Sequence, residues 1–88
     1  MTDGGFTPLM WASVAGHLAV VGELCDRGAN VNAATTDDGF TSLMGASQKG
    51  HPKIARELLK RKANKALTSH NGSTAHSLAI LPSIRNLL

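Results

Sequence analysis

The chain states one pattern twice, 34 residues apart. The stretch from Asp3 to His17 returns as Asp37 to His51. The register is held by Phe6/Phe40, Thr7/Thr41, Leu9/Leu43, Ala12/Ala46, Gly16/Gly50, His17/His51, Leu24/Leu58 and Ala29/Ala63. A fixed period of this size marks stacked repeats, in which no unit buries its apolar face alone. Such a chain offers a surface rather than a catalytic pocket.

Each full repeat reads as helix, tight turn, second helix and long polar connection. Thr7 stands where an N-cap belongs, and Pro8 takes the first helical position, where a missing N–H costs nothing. Gly16 supplies the left-handed turn that ends the helix. The second helix starts near Leu18, with Val20, Val21, Leu24 and Cys25 as its buried stripe. Gly28 closes it, and Asp38-Gly39 predicts a tight hairpin turn in the connection that follows. In the second copy Thr41 caps, Gly50 ends the first helix, and Pro52 opens the next. That helix has the stripe Ile54, Ala55, Leu58 and Leu59. Lys62 replaces Gly28, and a lysine forced left-handed costs roughly 1 kcal/mol, so a frayed or altered helix end is expected there. A third, shortened copy runs from Asn71 through Thr74 to Ala79 at an offset of 33, and Pro82 compresses its second helix.

Composition narrows the class. Eighty-eight residues make at most one domain, and the only aromatics are Phe6, Trp11 and Phe40. Cys25 is the sole cysteine, which excludes a disulfide framework and a cysteine zinc cluster and fits a reducing compartment. No apolar run approaches the roughly 20 residues of a membrane span, and the N-terminus lacks the pattern of a signal peptide. An intracellular protein, cytoplasmic or nuclear, is expected.

Neither metal binding nor catalysis finds support. Stacking sets His17 and His51 about 10 Å apart, too far to share a zinc ion bound at roughly 2 Å. Both are expected to brace the turn and cap the second helix. Asp37 and Asp38 lie in a solvated hairpin, Ser13 and Ser47 lack an orienting third group, and no phosphate loop appears. Cys25 reads as an inert core thiol. The reading is no catalytic residue, no metal, no cofactor and no small-molecule substrate.

Charge is uneven although the net is only +3. Lys53, Arg56 and Lys60 fall at i, i+3 and i+7 on one face of the second repeat's outer helix, with Arg61 adjoining. This ridge is either a solvated face or a site for acidic protein, anionic membrane or nucleic acid. The solvated face is favoured.

The run Gly5-Phe6-Thr7-Pro8-Leu9-Met10-x-Ala12, then Gly16-His17-x-x-Val20-Val21-x-x-Leu24, then Gly28-Ala29-x-Val31-Asn32-Ala33 resembles the ankyrin repeat. The resemblance implies an all-α solenoid of stacked antiparallel helix pairs joined by β-hairpin-like loops. It would form one domain over 1–88, with repeats at about 2–35 and 36–68 and a shortened one at about 69–88. The family's usual period is 33, so the 34 here implies one extra residue in the Ala33–Asp38 connection. His76 stands where the family usually has leucine.

The resemblance further implies a non-enzymatic protein-binding module, an adaptor or scaffold, whose partner docks on the concave face and hairpin tips. The positions so implied are Asp3, Phe6, Trp11, Val14 and Ala15; Asp37, Phe40, Gly45, Gln48 and Lys49; and His70, Ser73 and Leu78. Trp11 is the foremost anchor, unless it merely covers the space that Gly45 leaves. Phe6 and Phe40 are expected chiefly to staple their loops, and Met10 and Met44 to fill the core. The partner is another protein or another domain of the same polypeptide, in which case the segment is regulatory or structural. About three repeats are needed for independent stability, so membership of a longer array, or self-association, is expected.

Overall fold

A computed structural model describes residues 5–88. Among them lie α1 (Pro8–Ala15), α2 (Leu18–Asp26), α3 (Ser42–Gln48), α4 (Pro52–Lys60), α5 (Ala75–Leu78) and α6 (Pro82–Arg85). Each first helix starts on a threonine whose Oγ1 accepts the backbone N–H three residues on. The distances are 3.2 Å for Thr7 from Met10, 3.3 Å for Thr41 from Met44 and 3.1 Å for Thr74 from Ser77. Prolines occupy the first position of α1, α4 and α6, where no N–H partner is lost.

Gly16 (φ 85°) and Gly50 (φ 75°) turn the chain between the paired helices. At Gly16 no side chain fits, because a Cβ would come within 2.8 Å of the His51 ring. The end of α4 corrects the expectation of a frayed terminus. Lys62 adopts φ 72°, and Ala63 N–H still reaches the Leu58 carbonyl at 2.9 Å, matching Ala29 to Leu24 at 3.0 Å after α2. The lysine bears the left-handed strain and the helix closes as its glycine-ended counterpart does.

The inner helices α1, α3 and α5 form one row and α2, α4 and α6 a second, with the inner row in closer contact. Small residues explain the difference. Gly45, Ala46 and Ser47 let α3 sit between α1 and α5, and every residue of α3 from Ser42 to Ser47 is buried. The buried hydroxyls of Ser13 and Ser47 donate to the Leu9 and Leu43 carbonyls at 2.8 and 2.7 Å, so no polar group is left unpaired there.

Leu9, Met10, Val21, Leu43, Met44, Ile54, Leu58 and Ile84 form the centre of the core. Val20, expected in the buried stripe, is 47% exposed, whereas Ile54 at the same place in the second repeat is 2% exposed. Repeat one covers Ile54, and among the described residues no preceding helix pair does the same for Val20. In the shortened third copy His76 is exposed, while Ala75 and Ala79 take the inward positions. Leu87 and Leu88 are half-buried against the core.

The connections are hairpin-like in their backbone bonds only, for no strand forms among the described residues beyond one bridge between Thr68 and Thr74. Thr35 N–H donates to the Phe40 carbonyl at 2.9 Å, and Ser69 N–H to the Ser73 carbonyl at 2.8 Å. The first of these loops encloses one residue more than the second. The extra residue of the 34-residue period therefore sits at this tip, beside Asp37 and Asp38.

Candidate functional site

The aromatic residues gather at one edge of the array. The Phe6 ring meets Trp11 edge-on, with centroids 6.0 Å apart and planes at 88°, and lies near-parallel to Phe40 at 6.1 Å and 20°. Trp11 sits on the outward side of α1 and is 63% exposed, against a typical tryptophan that is mostly covered. The space at Gly45 is not beneath it. A Cβ there would lie 2.8 Å from Val14 Cγ2 and 2.9 Å from Phe40 Cζ, so Val14 and Phe40 fill that space. Trp11 is thus free of the covering role considered for it, and Phe6 and Phe40 do pack across their two loops.

Beside Trp11 runs an open groove of about 520 Å3, lined by Phe6, Pro8, Ala12, Ala15, Val20 and Leu24, with His17 at one end. Its walls are apolar because these are the positions by which a repeat packs on the one before it. Their counterparts Ala46, Ile54 and Leu58 are buried in the array. The tip loops enclose a second, smaller hollow of about 210 Å3 between Phe6, Thr35, Asp37, Asp38 and Phe40. Phe6 is the wall shared by both.

The remaining positions implied by the resemblance divide by burial. Ala15, Asp37, Gln48, Lys49 and His70 are exposed, and Val14, Ser73 and Leu78 are half-buried. Gly45 is buried under Val14 and Phe40 and contributes no surface, which corrects its place among the docking positions. Asp3 lies outside the described residues. His70 backs the tip: its N–H donates to the Asp38 carbonyl at 2.7 Å, and its Nδ1 lies 3.1 Å from the Asp37 carbonyl.

Two expectations about charged and ring side chains change. Neither His17 nor His51 caps its helix through the side chain. Instead His51 Nε2 donates to the Val14 carbonyl at 3.0 Å, a clasp between repeats. Arg61 is not a free member of the basic ridge, since it bridges Asp26 at 2.7 Å and Glu57 at 2.8 Å. Hydrogen bonds from Glu57 and then Asp26 hold its guanidinium more firmly protonated than usual. Lys53, Arg56 and Lys60 are exposed and make no ion pair among the described residues. Cys25 is half-buried against the core, and burial pushes its thiol up, the direction that suppresses thiolate chemistry. Among the described residues no three histidine, cysteine, aspartate or glutamate side chains converge on a metal position.

Sequence reasoning missed Pro8 and Val20 as surface. The signal was available in the duplication itself: a repeat position buried by its predecessor becomes a groove wall wherever no predecessor covers it.

Inner helices in one row, outer helices in another and loops at one edge define a solenoid of helical hairpins. The family model described as ankyrin repeats, in three copies, matches residues 1–69, and the chain belongs to the ankyrin-repeat family. Repeats of this family are generally protein–protein interaction modules and typically non-enzymatic. The matched span stops before α5 and α6, so the shortened third pair stands outside it. No curated protein matches the chain. No helix of the described residues is long and apolar enough to cross a membrane.

Proposed function

We propose that this chain is a non-enzymatic adaptor that holds another protein against the edge formed by Trp11, the neighbouring groove and the loop tips. The observation that carries this reading is the exposed Trp11 beside an apolar groove. Large aromatics in such settings dominate interface energetics, and their truncation costs about 2 kcal/mol or more. Its counterpart Gly45 is buried within the array, whereas among the described residues the indole meets only the edge of one aromatic ring, Phe6.

The test is capture of a partner by the chain, followed by calorimetry with Trp11→Ala. The substitution weakens binding by more than about 2 kcal/mol while the circular dichroism spectrum holds. Unchanged affinity in the folded variant overturns the assignment. If the chain binds nothing in trans and only another segment of its own polypeptide, the module is intramolecular and regulatory rather than an adaptor.

A further inference from the structure

The groove beside Trp11 and the hollow at the loop tips adjoin at Phe6, which lines both. They differ sharply in chemistry. The groove is walled by apolar side chains apart from His17 at its end. The hollow combines two phenylalanine rings with the carboxylates of Asp37 and Asp38. At about 210 Å3 it is smaller than the roughly 300–1,000 Å3 of ligand pockets that enclose whole small molecules, and suits the head of one side chain.

Charge decides which head. Among the described residues, Glu23 pairs with Arg27, and Asp26 and Glu57 both pair with Arg61. Asp37 and Asp38 have no such partner there, and the polar bonds around them engage their backbone carbonyls. Two carboxylates at one exposed tip of a chain with net charge +3 create a local reversal of sign. A guanidinium fits such a place twice over, since its plane rests on aromatic faces while its N–H groups reach carboxylate oxygens.

Resting on the protein-binding reading above, we infer that the two adjoining hollows are filled by one ligand. They take an extended segment of a partner protein with an apolar side chain beside Trp11 and a neighbouring arginine or lysine in the hollow where the stacked Phe6 and Phe40 rings meet Asp37 and Asp38. The apolar side chain supplies burial and the cation fixes the segment's register, since no second carboxylate pair lies along the groove.

The probe is N-acetyl-leucyl-arginine amide, titrated into the chain and followed by amide and ring resonances. The control is the same dipeptide with citrulline, which keeps the shape and removes the charge. The expected result is saturable shifts at Phe6, Phe40, Asp37 and Asp38. The affinity falls about fivefold or more with citrulline, and again in Asp37→Asn/Asp38→Asn, the scale of a charge contact with an aromatic wall. Both aspartates are exposed, so the double variant keeps its fold. Equal affinity for the two dipeptides overturns the inference, as do shifts confined to Trp11 and Ala15. The latter result leaves the protein-binding reading standing, because that depends on Trp11→Ala and a protein partner. Shifts that follow protein concentration rather than added dipeptide also overturn it, for then a second copy's lysine ridge fills the tip.

Discussion

Lys62 shows how a single residue can oppose its surroundings without changing them. Its φ of 72° belongs to glycine's territory, yet the bond from Ala63 to Leu58 that closes α4 is intact. The strain must therefore be borne as lost stability. Lys62→Gly is expected to raise the unfolding free energy by about 1 kcal/mol, the relief of strain less the glycine's larger unfolded entropy. A urea titration measures it, and a lower midpoint would contradict the assignment. Trp11 and Gly45 make the complementary point. They occupy the same repeat position, but Phe40 and Val14 close over the glycine while Phe6 merely edges the indole. One site is packed shut and the other is open.

At the scale of the helix, position within the stack outweighs residue type. Val20 and Ile54 are β-branched equivalents at the start of an outer helix, one near half exposed and the other covered by the preceding pair. Ile54→Ala is expected to cost about 2–5 kcal/mol, and Val20→Ala less than about 1 kcal/mol. Equal losses would mean that the two helix pairs do not stack as described. This pair also marks the limit of what the sequence discloses. Helix starts and stops were legible, because Thr7, Thr41, Thr74, Gly16 and Gly50 act through bonds to neighbours a few residues away. The inward stripe was legible as far as Val21, Leu24, Ile54 and Leu58. The fate of Val20 was not, since periodicity reveals which residues share a face but not whether anything covers that face. Likewise the His51 clasp and the Arg61 bridges join residues from different repeats, and no local pattern announces them. Of the candidate site, Trp11 and the tip residues were legible as family positions. Their convergence around Phe6 arises only when the loops of two repeats are brought side by side.

Across the whole molecule, each helix pair is stabilised through its neighbours, so cooperative strength grows with the number of covered faces. Here the first pair leaves Val20 exposed and Leu24 half-buried, and the third pair has helices of four residues each. The dilute chain is therefore expected to melt within the mesophile range of about 45–65 °C, and a calorimetric midpoint above that would contradict the account. Among the described residues the uncovered face of the first pair is also the apolar groove, so on the proposed reading binding and stability are coupled. On that reading, a partner seated on the groove completes for Val20 the burial that the first repeat provides for Ile54.

Trp11 reports on that edge by itself, being the chain's single tryptophan. The most direct measurement is acrylamide quenching of its fluorescence, with the chain free and with a bound protein partner. The account predicts efficient quenching of the free indole and a marked loss of quenching, with a blue-shifted emission, in the complex. Quenching that is equally strong in a saturated complex would place the partner elsewhere and contradict the assignment of this edge as the binding surface.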